Sequence, residues 1–164
     1  MAPDPIRSLA LGSEDETDAL ARRIAGTLRP GDVLLLEGPI GAGKTRFARA
    51  LIQTRLAACG RMEDVPSPTF TLVQTYDAGG VEIWHADLYR LSGPADVLEL
   101  GLIDAFDTAI CLVEWPDRLG PDGPENAMVL SFAHGVEDDA RVLSILSGQS
   151  RWQALLESPK DGAA

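Results

Sequence analysis

"LLLEGPIGAGKTRFARALI", Leu34 to Ile52, decides how the rest of the chain is read. Within it, Gly38-Pro39-Ile40-Gly41-Ala42-Gly43-Lys44-Thr45 fits G-x-x-x-x-G-K-[ST], the template of a phosphate-binding loop. Glycines at 38, 41 and 43 allow backbone conformations closed to residues with a side chain. Successive N–H groups can then turn inward and form a nest for anionic oxygens. The helix that follows adds its unpaired amides and the positive end of its dipole. The pattern assigns the Lys44 ammonium to the β- and γ-phosphates and the Thr45 hydroxyl to Mg²⁺. Gly38, Gly41, Ala42 and Gly43 form the cradle, and Arg46 follows in the helix's first turn as a further nucleotide-side residue. The expected ligands are ATP and Mg²⁺, since the guanine-reading N-K-x-D pattern is not visible.

Both flanks suit this reading. "DVLLLEG", Asp32 to Gly38, is a continuous apolar run, as in a strand buried on both faces. "KTRFARALIQTRLAA" reads as a helix from Lys44 to about Ala58, ending near Gly60. Upstream, "SEDETDALARRIAGTLRPGD" reads as a helix capped by Ser13, with Glu16 completing a capping box. Leu20, Ile24 and Leu28 make its apolar stripe, and Pro30-Gly31 stops it.

Downstream, "RMEDVPSPTF" is a loop. "FTLVQTYD" and "VEIWHADLYRL" form a hairpin through Ala78-Gly79-Gly80. "SGPADVLELGLIDAF" holds one or two short helices, starting near Ser92 or Pro94 and interrupted at Gly101. "TAICLVEW" is a second buried parallel strand, beside the strand before the loop or one removed from it. "AMVLSFAHG" and "ARVLSILS" make an antiparallel pair near the sheet edge, and "SRWQALLES" a C-terminal helix. The expected fold is α/β: a P-loop NTPase-like mixed sheet, with a parallel core plus antiparallel hairpins, flanked by helices. It forms a single domain over 1–164 with an ordered core of about 6–157.

Composition narrows the partners. The 164 residues carry a net charge of −11, which argues against a broad basic surface for nucleic acid and suits a protein partner with a basic face. No apolar run approaches the roughly 18 residues that span a bilayer. The N-terminal stretch lacks a basic-then-apolar signal architecture, so the cytoplasm is expected. Cys59 and Cys111 form no C-x-x-C pair and read as small buried apolar residues. Of fourteen basic residues only Lys44 and Lys160 are lysine, and one of these falls where the phosphate motif requires it.

A triphosphate hydrolase also needs carboxylates for the metal and the attacking water. Glu114 ends the apolar strand "AICLVE", and ligands of open α/β sheets bind at the carboxyl ends of strands. Glu114 is therefore a metal-side and catalytic candidate. Asp87, in the mostly apolar "WHADLYRL", needs a partner or a chemical task. It is the other catalytic acid, or else the ion-pair partner of Arg90. Thr69, behind Pro68, is the candidate hydroxyl that senses the γ-phosphate, or else satisfies its own turn. His85 reads as structural, and Trp115 as packing.

Taken together, "GPIGAGKTRFAR", "SPTFTLVQTY", "HADLYRL" and "CLVEWPDRLG", in this order and spacing, resemble the bacterial TsaE (YjeE) family. The resemblance runs from about Ser13 to Arg141. It implies a small ATPase that works with a TsaB–TsaD complex, the complex that transfers threonylcarbamoyl to adenosine 37 of tRNA. It matches Lys44, Thr45, Thr69, Asp87 and Glu114 to the family's functional positions, and places Ser13 beside the nucleotide base. Two positions depart: Pro39 stands where many relatives carry an acid, and "VEDDAR" is acidic where a basic residue is common, leaving Arg141 as the nearest replacement. Two other functions share the loop. A small-molecule kinase would need an acceptor pocket and an Arg-rich lid, and no such lid stands out. A nucleotide-gated binding module would need the loop but not the acids.

Overall fold

The computed structural model describes residues 7–147. Its elements are β1 (Arg7–Leu11), α1 (Glu14–Ala25), β2 (Val33–Glu37), α2 (Lys44–Ala58), β3 (Val73–Ala78), β4 (Val81–Asp87), α3 (Pro94–Leu98), α4 (Leu102–Ala105), β5 (Ile110–Glu114), a 3₁₀ segment (Pro116–Asp122), β6 (Met128–His134) and β7 (Arg141–Ser147). The seven strands make one sheet in the order β1-β7-β6-β2-β5-β4-β3. β6, β2, β5 and β4 run parallel, while β7 pairs antiparallel with both β1 and β6, and β3 antiparallel with β4. This is the expected mixed sheet, a parallel core with antiparallel flanks. No described helix is long and apolar enough to cross a membrane.

Local chemistry explains most boundaries. The Ser13 side chain accepts a hydrogen bond from the Glu16 amide at 3.3 Å and so caps α1. Leu20, Ile24 and Leu28 are buried, Leu28 just beyond the helix end. Arg55 on α2 donates to the Ala25 and Leu28 carbonyls at 3.0 Å, satisfying groups the end of α1 leaves unpaired. Gly79 and Gly80 both have positive φ (67° and 91°), which a two-residue I′ hairpin turn requires. Gly101, at φ 78°, separates α3 from α4.

The sheet has two covered faces. Leu34, Leu36, Ile83, Leu112 and Leu130 pack with α1 and α2. Val33, Leu35, Ala86, Cys111 and Val113 pack with α3, α4 and the 3₁₀ segment. Phe47 of α2 meets Phe132 of β6 edge to face, with ring centroids 5.5 Å apart, and so ties the loop's helix to the sheet.

Three features differ from the sequence reading. A strand, β1, precedes the first helix; its partner among the described residues is β7, at least 130 residues downstream, so no local pattern announces it. The β6–β7 antiparallel pair lies near the sheet edge as expected, with β1 outside it and β6 against β2. The β3–β4 hairpin is shorter than its apolar runs, starting at Val73 and ending at Asp87. Cys59 is exposed, because α2 ends there and turns its last residues outward, while Cys111 is buried as expected. The helix expected over Ser150–Ser158, and Lys160, lie outside the described residues.

The cysteines allow a simple check. Burial, helped by Glu82, pushes the Cys111 thiol up to about 12. Folding thus holds the neutral thiol, and the fold loses stability as the pH climbs from the thiol's ordinary range toward 12. A disulfide reagent at pH 8 is expected to label Cys59 in the native protein and both cysteines after unfolding. Rapid native labelling of two thiols would contradict this packing.

Candidate functional site

The carboxyl ends of β2, β4 and β5 meet the N-terminus of α2 around a cavity of about 430 Å³. Its walls include Gly41, Gly43, Lys44, Thr45, Arg46, Thr69, Asp87 and Glu114. Thus Lys44, Thr45, Thr69, Asp87 and Glu114, drawn from four separate segments, share one cavity. Gly38 and Ala42 sit in the loop's base, Ala42 fully buried. Ser13 caps α1 at the cavity's far side, where Glu14 and Thr17 form the wall.

The loop's shape comes from its glycines. Gly38, Gly41 and Gly43 have φ of 140°, 79° and 105°. A Cβ on Gly38 would stand 2.4 Å from the Phe132 carbonyl oxygen, so the loop leaves β2 pressed against β6. Pro39 brings no N–H to the loop, and its carbonyl accepts from the Ala42 amide at 3.2 Å.

Lys44 is buried. Its ammonium donates to the Gly38 carbonyl and, at 3.4 Å, to that of Pro39. The Trp115 ring covers it at 3.6 Å from the centroid. Burial pushes the Lys44 ammonium below its usual range, against the upward pull of Glu114, Asp87 and Asp117. Trp115 has a left-handed backbone (φ 58°), contacts Tyr89 and packs against the core under α3 and α4 as expected, and it also lines the cavity.

The two acids are held differently. Paired strands β4 and β5 put Asp87 opposite Glu114. Glu114 Oε1 accepts from the Thr45 hydroxyl at 2.7 Å, and Oε2 lies 2.7 Å from His85 Nε2. Asp87 Oδ2 accepts from the Thr69 hydroxyl at 3.2 Å, and Oδ1 from the Tyr89 amide at 3.0 Å. Thr69 also shares a hydrogen bond with Ser67 at 2.8 Å. Arg90 lies over the Phe70 ring instead of pairing with Asp87.

Two basic residues shape the rim. Arg46 makes a two-pronged contact with Asp18 (3.0 and 2.8 Å) and an ion pair with Glu14 at 3.2 Å. The bond to Asp18 raises its affinity for its proton, and the clamp ties the start of α1 to α2. Arg141 lines the cavity and donates to the Gly41 carbonyl at 3.2 Å, so the acidic "VEDDAR" segment still brings one cation to the glycine loop. The sequence reads His85 as structural; its contact with Glu114 is set by the parallel register of β4 and β5.

Residues 11–142 match the model of the family described as threonylcarbamoyl adenosine biosynthesis protein TsaE. The chain is similar to the tRNA threonylcarbamoyladenosine biosynthesis protein TsaE of Rickettsia bellii, with 43% identity over 135 residues, 82% of this chain and 91% of that one. It is 45% identical to the protein of that name from Rickettsia conorii over 107 residues, 65% of this chain, and spans 59% of that protein's length. The fold resembles the crystal structure of Bacillus subtilis YdiB with a TM-score of 0.73 at 28% identity, covering 96% of both chains.

Proposed function

This chain belongs to the TsaE family, and on that premise we propose that it is a cytoplasmic, magnesium-dependent ATPase serving tRNA threonylcarbamoyladenosine biosynthesis. In this reading it works with a TsaB–TsaD complex, which performs the transfer. The observation that carries the proposal is the 2.7 Å bond between Thr45, at the start of α2, and Glu114, at the end of β5, beside the Lys44 ammonium.

The residues fit the proposed ligands. The Thr45 hydroxyl and the Glu114 carboxylate are hard oxygen donors of the kind magnesium takes, with Asp87 on the neighbouring strand. A bound magnesium ion neutralises charge on the β- and γ-phosphates. The loop amides and the first turn of α2 receive the phosphates. Lys44 turns its flexible stem from the Gly38 and Pro39 carbonyls toward them.

The acids divide the work. Both oxygens of Glu114 are engaged, which suits a fixed metal-side acceptor. Asp87, linked through Thr69 to the proline-stiffened loop, orients the attacking water, and Thr69 couples that loop to the γ-phosphate.

The test is co-purification of the wild-type chain with TsaB–TsaD in Mg-ATP, in Mg-ADP and without nucleotide, with phosphate release measured in parallel. Capture in ATP alone, with phosphate released, is expected. Equal capture in all three conditions, or no ATP-dependent phosphate release, would overturn the proposal.

A further inference from the structure

Resting on the magnesium–nucleotide reading of this site, we propose that His85 is a positioning residue that holds Oε2 of Glu114 so that Oε1 is presented to Thr45 and the metal side of the cavity. His85 sits on β4 with its side chain fully buried, opposite Leu112 of β5, one pleat behind the Asp87–Glu114 pair. Its Nε2 is 2.7 Å from Glu114 Oε2. A carboxylate only accepts, so Nε2 carries the proton and donates.

The other ring nitrogen argues against mere space-filling. Nδ1 is buried and has no hydrogen-bond partner among the described residues. Leaving such a group unpaired costs about 1–3 kcal/mol, which a leucine at the same place would not incur. Among the described residues the imidazole's hydrogen bond is to Glu114, so its value lies in what it does to that carboxylate.

What it does is geometric. Glu114 reaches the cavity on a side chain with three rotatable bonds. One bond to Thr45 would leave its carboxylate free to turn and offer either oxygen. The second bond, from the far side, removes that freedom and assigns each oxygen a direction. Partners of this kind behind a metal-side carboxylate typically contribute about ten- to a hundredfold in metal affinity.

The test compares His85→Leu, His85→Gln and His85→Asn with the wild type. Binding of a fluorescent ATP analogue is followed as magnesium is titrated, and again in excess chelator. The Leu variant keeps volume but no donor. The Gln variant puts an N–H near the Nε2 position, whereas the Asn amide is too short to reach Glu114. The Leu and Asn variants are expected to need about tenfold more magnesium for half-maximal binding. Metal-free nucleotide binding should stay unchanged, and Gln should recover most of the loss. Should the Leu variant fail to fold, the contrast between Gln and Asn decides. An unchanged magnesium requirement in Leu or Asn beside a normally binding wild type would overturn this inference alone. A wild-type chain that binds no nucleotide would remove the functional reading and this inference with it.

Discussion

Lys44→Met is expected to lower ATP turnover by about a hundred- to a thousandfold, the usual effect of deleting one preorganised donor to developing charge. Methionine keeps an aliphatic stem of similar reach, so packing under Trp115 survives while the charge is lost. The buried ammonium stands among Glu114, Asp87 and Asp117, which makes it the local counter-charge to three acids. Without it, polyphosphate would enter a cavity where Asp87 and Glu114 repel it. Weaker nucleotide binding should therefore accompany the slower turnover. Phosphate release and nucleotide titration, with a thermal melt to confirm folding, would measure both. A folded Lys44→Met protein that keeps turnover within a factor of about three of wild type would remove the phosphate-loop reading.

Gly38→Ala is expected to be the most damaging change to the loop's frame. The added Cβ would lie 2.4 Å from the backbone oxygen of Phe132, where no side-chain rotation relieves it, and φ is 140°. Left-handed strain alone costs about 1–3 kcal/mol, and the clash with β6 adds to it. A loss of more than about 3 kcal/mol corresponds to a fall of roughly 6–12 °C in melting temperature for a chain of this size. Gly41→Ala is the control: φ is 79°, yet no atom lies within 4 Å of its Cβ. It should cost only the conformational strain, about 1–2 kcal/mol. Equal melting temperatures for the two variants would show that β2 and β6 do not press on the loop as described.

Some site features could be read directly from residues in line. The eight-residue motif, its apolar strand and its helix are contiguous, so the nest, Lys44 and Thr45 needed no tertiary information. Glu114 could be found because a buried strand with one terminal acid is unusual and the carboxyl edge is where such folds bind ligands. His85 could not, since a histidine in an apolar strand looks the same whether it fills space or grips a carboxylate on the next strand. Its partner is 29 residues away, and the parallel register of β4 and β5 brings them together. Trp115 was similarly opaque: its left-handed backbone and its place over Lys44 both depend on the turn that follows β5.

By itself, the sequence determined the local grammar. Ser13 caps a helix, Gly79-Gly80 closes a hairpin, and the glycines between Gly38 and Thr45 bend the backbone into a tight loop, because each depends on residues within a few positions of one another. Tertiary structure decided everything that rests on strand neighbours. It brought β1 to β7, set Phe132 of β6 against Gly38, and gave each oxygen of Glu114 its own partner. The physical reason is that sheet pairing joins segments far apart in the chain by backbone hydrogen bonds that carry no side-chain signature, so register is settled only when all the apolar faces are buried at once.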